Sequence, residues 1–120
     1  MTVLGIDHVQ VAMPPGGEDD ARAFYGGILG MEELPKPEAL RARGGCWFRA
    51  GAQELHVGVE TEFVPARKAH PGLVVSDLRA IRARLAEAGA AYEDDASIDA
   101  VDRLFVDDPF GNRLEVRQSV

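Results

Sequence analysis

The stretch Asp108-Pro109-Phe110-Gly111-Asn112-Arg113-Leu114-Glu115 decides how the rest of the chain is read. Pro109 fixes its own φ, and Gly111 supplies a backbone shape that other side chains disfavour, so residues 108–112 read as a turn. Beyond it, Arg113 to Arg117 alternates polar and apolar residues, the period of a half-buried strand. Leu114 and Val116 fall on one face; Arg113, Glu115 and Arg117 fall on the other. Arg103 to Val106 reads as the strand that enters the turn.

Working back along the chain, the first half closes in the same way. Gly45 to Arg49 and Gln53 to Val59 read as a hairpin about Ala50-Gly51-Ala52. That hairpin ends in Leu55-His56-Val57, where the second half ends in Leu114-Glu115-Val116. Each half also opens with a strand that carries a histidine. These are Val3 to Met13 with His8, and His70 to Val75, where Pro71 removes one backbone donor. A helix follows each. Glu18 to Gly30 puts Ala21, Phe24, Tyr25 and Leu29 on one stripe, and Glu18, Asp19 and Asp20 complement the dipole at its start. Gly26 and Gly27 weaken its second half. A second helix, capped by Ser76 and running to Ala88, carries Leu78, Ile81 and Leu85 on one face and ends at Gly89. Short strands near Glu32–Leu34 and Ala91–Glu93 complete the pattern, and Pro35 to Arg43 reads as a loop or a helical turn. Strand, helix and three strands therefore occur twice, which predicts an α+β fold of two βαβββ modules with an antiparallel-rich sheet. The modules cover about 1–60 and 70–120, joined by a polar linker over about 61–69.

The repeat aligns a set of polar side chains. His8 to His56 spans 48 positions and His70 to Glu115 spans 45. In the strands, Val9 and Val11 oppose His8 and Gln10, while Leu55, Val57 and Val59 oppose Glu54 and His56. If the aliphatic faces pack under the helices, His8, His56, His70 and Glu115 all lie on the opposite faces. A lone strand histidine is commonly a satisfied polar residue, and Glu115 alone could pair with Arg113 or Arg117. Yet the chain has three histidines in all, and every one falls at a repeat-related position. Three imidazoles and a carboxylate suit a divalent first-row metal such as Zn, Fe, Mn or Ni. Glu54 shares the face of His56, so either of the two is the first-module ligand.

The remaining composition narrows the class of partner. At 46 % hydrophobic and 28 % charged, the chain has the make-up of a soluble globular domain rather than a disordered one. A formal charge of −7 argues against nucleic acid or an anionic membrane as partner, since both require clustered Lys and Arg. The single Cys46 excludes an intrachain disulfide and fits a reducing cytoplasm; its run, Cys46-Trp47-Phe48, reads as buried packing. The N-terminus lacks a basic region followed by an apolar stretch, so no signal peptide is expected. A cytoplasmic location is the expectation.

Taken with Gly5-Ile6-Asp7-His8-Val9, Phe24-Tyr25-Gly26-Gly27-Ile28-Leu29-Gly30-Met31 and His70-Pro71-Gly72-Leu73-Val74-Val75-Ser76-Asp77-Leu78, the closing motif resembles the vicinal oxygen chelate superfamily. This group includes glyoxalases, fosfomycin-resistance and bleomycin-resistance proteins, methylmalonyl-CoA epimerases and extradiol dioxygenases. The resemblance covers nearly the whole chain. It implies one domain over 1–120, with a curved mixed sheet around a cavity and helices on the outer face. It further implies metal ligands at His8, His70 and Glu115, a fourth at His56, and a homodimer acting on a small oxygenated molecule. No subgroup is matched: a glyoxalase typically has Glu where His56 stands, and basic residues suited to a phosphonate are scattered at Arg49, Arg67 and Arg103.

The leading expectation is a lyase, isomerase or dioxygenase in which a divalent metal chelates vicinal substrate oxygens, with Glu54 or Glu115 moving the proton. The alternative is a metal-free dimer of bleomycin-resistance type that sequesters an antibiotic; a third reading is a regulatory domain with a vestigial site. Tyr25 lies on the helix stripe and reads as core. Trp47 and Phe48 alternate, so one lines the polar face and the other packs beneath a helix.

Overall fold

The computed structural model describes residues 1–119. The chain divides into two compact units, Met1–Phe63 and a second beginning at Val64. Each builds its own four-stranded mixed sheet.

In the first unit, β1 (His8–Met13) leads into α1 (Glu18–Ala21), which continues as wider π-helical turns over Arg22–Ile28. Then follow β2 (Glu33–Leu34), α2 (Glu38–Arg41), β3 (Cys46–Ala50) and β4 (Gln53–Val59). The sheet order is β1-β4-β3-β2, with β1 parallel to β4 and the other pairs antiparallel. The second unit repeats this plan. It runs β5 (Gly72–Val74), α3 (Leu78–Glu87), β6 (Tyr92–Asp95), β7 (Val101–Asp107) and β8 (Arg113–Ser119). Its order is β5-β8-β7-β6, again with the first strand parallel to the last. The βαβββ repeat read from the sequence is thus the architecture.

The boundaries differ in places, each for a local reason. The first strand begins at His8, not Val3, because the ladder to β4 starts with His8 opposite Glu54 and ends upstream in the Glu54 N–H to Asp7 O bond. Val3, Leu4 and Ile6 are exposed. Around Gly26 and Gly27 the helix widens, with Leu29 N–H bonding to Phe24 O and Met31 N–H to Tyr25 O; a low helix propensity there permits the change. The cap of α3 is Asp77, not Ser76: its Oδ1 accepts from Ala80 N–H at 3.1 Å. The polar segment after β4 has no regular element, but its end is tied down. Ala66 N–H donates to Asn112 Oδ1 at 3.0 Å, and Arg67 reaches Gly111 O at 2.9 Å.

Each core follows strand parity. In the first unit Val11, Met13, Leu55, Val57, Cys46 and Phe48 are buried together with Phe24 and Tyr25. Tyr25 meets Phe24 edge-on at 5.1 Å and Phe48 at 5.8 Å, so Phe48 is the residue beneath the helix. Burial pushes the Cys46 thiol up, away from a reactive thiolate. In the second unit Leu104, Val106, Leu114 and Val116 are buried, as are Leu78, Ile81 and Leu85 of α3. The turn before β8 is locked by Asp108, whose Oδ1 accepts from the N–H groups of Phe110 and Asn112, both at 2.9 Å. No helix among the described residues is long and apolar enough to cross a membrane.

Candidate metal centre

With the aliphatic side chains committed to the cores, the polar strand residues fall on the other face of each sheet. In the first unit, register puts Trp47 directly across from His56, and His8 across from Glu54. The rings form a stack of three. Trp47 and His56 have centroids 4.0 Å apart and planes 1° from parallel; His56 and His8 follow at 4.2 Å and 17°. Sandwiched in this way, His56 is buried although its face is polar. Its Nε2 is 2.9 Å from Glu54 Oε1, so the two residues between which the sequence left a choice are bonded to each other.

In the second unit, Glu115 is buried on the face opposite Leu114 and Val116. Its Oε1 accepts from Arg103 Nη1, and Arg117 Nη1 lies 3.7 Å from Oε2. Arg113, a partner the alternation allowed, is not one. Gly72 is the register partner of Glu115. A Cβ there would stand 3.3 Å from Glu115 Oε2, so the absent side chain gives the carboxylate its room. Arg103 also reaches Ser97 Oγ at 3.1 Å and Asp95 at 3.3 Å, and the Glu115 hydrogen bond is foremost in holding its guanidinium protonated. His70 is exposed and meets Phe105 edge-on at 5.8 Å.

The hydrogen bonds of two histidines bear on metal binding. His8 Nδ1 is 2.9 Å from Asp7 Oδ2, and His70 Nδ1 is 2.9 Å from Lys68 O. A carboxylate or carbonyl oxygen only accepts, so in each neutral ring the hydrogen sits on Nδ1 and Nε2 presents its lone pair. Metal-ligating histidines use this arrangement, with the second nitrogen held by an oxygen, and ligating carboxylates are themselves hydrogen-bonded, as Glu115 is. Taken singly, His8, His70 and Glu115 each have the chemistry and the supporting hydrogen bond of a ligand for a divalent cation. The His8–His56 stack is not itself a ligating pose, because in-plane lone pairs of near-parallel rings do not meet. With 45 % of its side chain exposed, His8 has room to turn. Within neither unit do three or more His, Cys, Asp or Glu residues, among those described, stand close enough to hold a metal ion.

Sequence reading missed the Asp7 contact and the partly buried Arg103–Glu115 pair. Asp7 adjoins His8 in sequence, but adjacency alone says nothing of rotamers. Arg103 shares the Glu115 face through its register with Arg117, a signal that required the β7–β8 pairing.

The chain belongs to the glyoxalase-like domain family, whose model matches residues 11–117, and its fold is that of the vicinal oxygen chelate superfamily. A crystal structure from Bacillus anthracis, of a protein assigned to the glyoxalase family, is 50% identical over 100% of this chain and 98% of that one, with a TM-score of 0.94. The fosfomycin resistance protein FosX from Listeria monocytogenes has the same fold (TM-score 0.79, 10% identity, 99% and 96% covered). So has a glyoxalase/dioxygenase from Nostoc punctiforme (TM-score 0.78, 20% identity, 98% and 92% covered). Comparison with curated proteins returned no match.

Proposed function

We propose that the chain is a divalent-metal-dependent enzyme of glyoxalase or dioxygenase type acting on a small oxygenated molecule. In this reading His8, His56, His70 and Glu115 hold the metal, which is Zn, Fe, Mn or Ni. The observation that carries it is the shared state of His8 and His70: each has Nδ1 on an oxygen acceptor, leaving Nε2 bare. When bound, the metal supplies Lewis-acid chelation of two vicinal substrate oxygens, offsetting negative charge on an enolate or alkoxide.

The chain's own residues do the rest. Glu54 is the base: Oε1 is held at 2.9 Å by His56 Nε2, and about a third of its side chain remains open to take up a proton. Trp47 fixes the His56 ring by stacking and keeps water from it. Arg103 orients the Glu115 carboxylate and fixes one of its two oxygens. The enzyme works as a homodimer in the cytoplasm.

Turnover of methylglyoxal–thiol adducts, catechols and epoxide antibiotics by metal-loaded protein tests the reading. Metal-dependent turnover of one of these, lost in Glu54→Gln with metal retained, is expected. Turnover that is independent of metal contradicts it. The metal-free, ligand-sequestering dimer draws support from one observation, the Trp47–His56–His8 stack, which offers an aromatic surface to a planar ligand. Tight binding of such a ligand without metal would favour it.

A further inference from the structure

On the polar face of the second sheet one guanidinium has no carboxylate partner among the described residues. On β7 and β8 that face presents Arg103, Phe105 and Asp107 opposite Arg117, Glu115 and Arg113. Arg103 is taken by Glu115, Asp95 and Ser97. Asp107 is taken by Arg67 at 3.0 Å, and Arg117 lies beside Glu115. Glu93, across from Phe105 on the edge strand, forms no ion pair with Arg113 among the described residues. That leaves Arg113. Its guanidinium carbon sits 4.2 Å from the Phe105 ring centroid, with no carboxylate partner among the described residues. Stacking on an aromatic ring fixes the plane of a guanidinium while leaving its N–H fork unused. The same Phe105 ring touches His70 on its edge. A cation held in place, half-buried and unpaired, in a chain of formal charge −7 is not a by-product of basic composition.

We propose that Arg113 is a carboxylate-binding residue that selects substrates carrying a carboxylate beyond their chelating oxygens. A planar carboxylate matches the guanidinium fork with two parallel hydrogen bonds. Arg113 and Glu115 are two residues apart on one strand, roughly 7 Å. A short hydroxy diacid bound between these neighbouring positions directs one end toward Glu115 and its distal carboxylate to the Arg113 fork. The placement of the chelating end rests on the metal-dependent reading; the preference for a carboxylate at Arg113 does not.

The test compares malate with 2-hydroxybutyrate, which keeps the hydroxy-acid end and lacks the distal carboxylate. Binding of both is measured by calorimetry on metal-free and zinc-loaded protein. Wild type is expected to prefer malate by about tenfold, the effect of one charge-assisted contact. In zinc-loaded protein, where the metal holds the hydroxy-acid end, Arg113→Met brings the ratio to one without changing 2-hydroxybutyrate binding, and Arg113→Lys keeps part of it. In wild type, the Arg113 Nε–H resonance shifts with malate and not with 2-hydroxybutyrate, a readout independent of any variant's folding. No malate binding, a wild-type ratio of one, or a ratio indifferent to Arg113→Met overturns the proposal. If the ratio follows Arg113 but zinc tightens neither ligand, the subsite stands and the metal reading falls. If zinc tightens both ligands equally at a ratio of one, the reverse holds.

Discussion

His56 lies flat against Trp47, ring centroids 4.0 Å apart and planes 1° from parallel. Trp47 is the only tryptophan in the chain, so its emission reports on this ring alone. Nickel quenches indole fluorescence at short range. Titration with Ni²⁺ is therefore expected to lower the emission saturably, and His8→Ala to shift the curve to higher metal concentration. Emission unchanged through the titration would contradict a metal beside His56.

The cap of α3 gives a sharper local test. Asp77→Ala removes the acceptor for Ala80 N–H and is expected to lower stability by about 1 kcal/mol. Ser76→Ala, one residue earlier, should leave the urea midpoint nearly unchanged. Equal effects of the two would place the cap elsewhere.

Gly111 holds φ at +92°, and a Cβ there would stand 3.3 Å from the Pro65 ring. Gly111→Ala is expected to destabilise by roughly 1–2 kcal/mol from backbone strain, seen as a lower urea midpoint. Because this turn also anchors Ala66, the same variant should speed proteolysis within residues 61–68.

Glu18 supplies the pH dependence. Its Oε2 accepts from Gly45 N–H at 2.9 Å, and that bond holds its carboxyl below the usual range. A carboxyl depressed in the folded state stabilises above its unfolded pKa, and the contribution is lost as pH falls through the folded value. Glu18→Gln should therefore be less stable than wild type by about 1 kcal/mol at neutral pH. The gap closes as pH drops below about 4. A gap that stays constant across that range would contradict this assignment.

The fold was legible because its signals are local and doubled. Strand parity in Leu55-His56-Val57 and Leu114-Glu115-Val116, helix stripes such as Leu78, Ile81 and Leu85, and the Pro109–Gly111 turn each depend on residues close in sequence. The candidate site was legible only as far as the faces its members share. That Glu54 bonds to His56 rather than competing with it depends on side-chain rotamers, which periodicity does not encode. That Arg103, not Arg113, holds Glu115 depends on the diagonal geometry of β7 against β8. The start of β1 at His8 instead of Val3 has a similar cause, since a strand ends where its partner does, whatever its own β propensity.

The central claim is that this donor set binds a divalent metal, and equilibrium dialysis of stripped protein against Mn²⁺, Fe²⁺, Ni²⁺ and Zn²⁺ tests it most directly. Wild type is expected to take up one of these ions with a definite stoichiometry. His8→Ala and Glu115→Ala should each weaken that uptake at least tenfold, with circular dichroism unchanged. Uptake equally poor in wild type and both variants would contradict the claim.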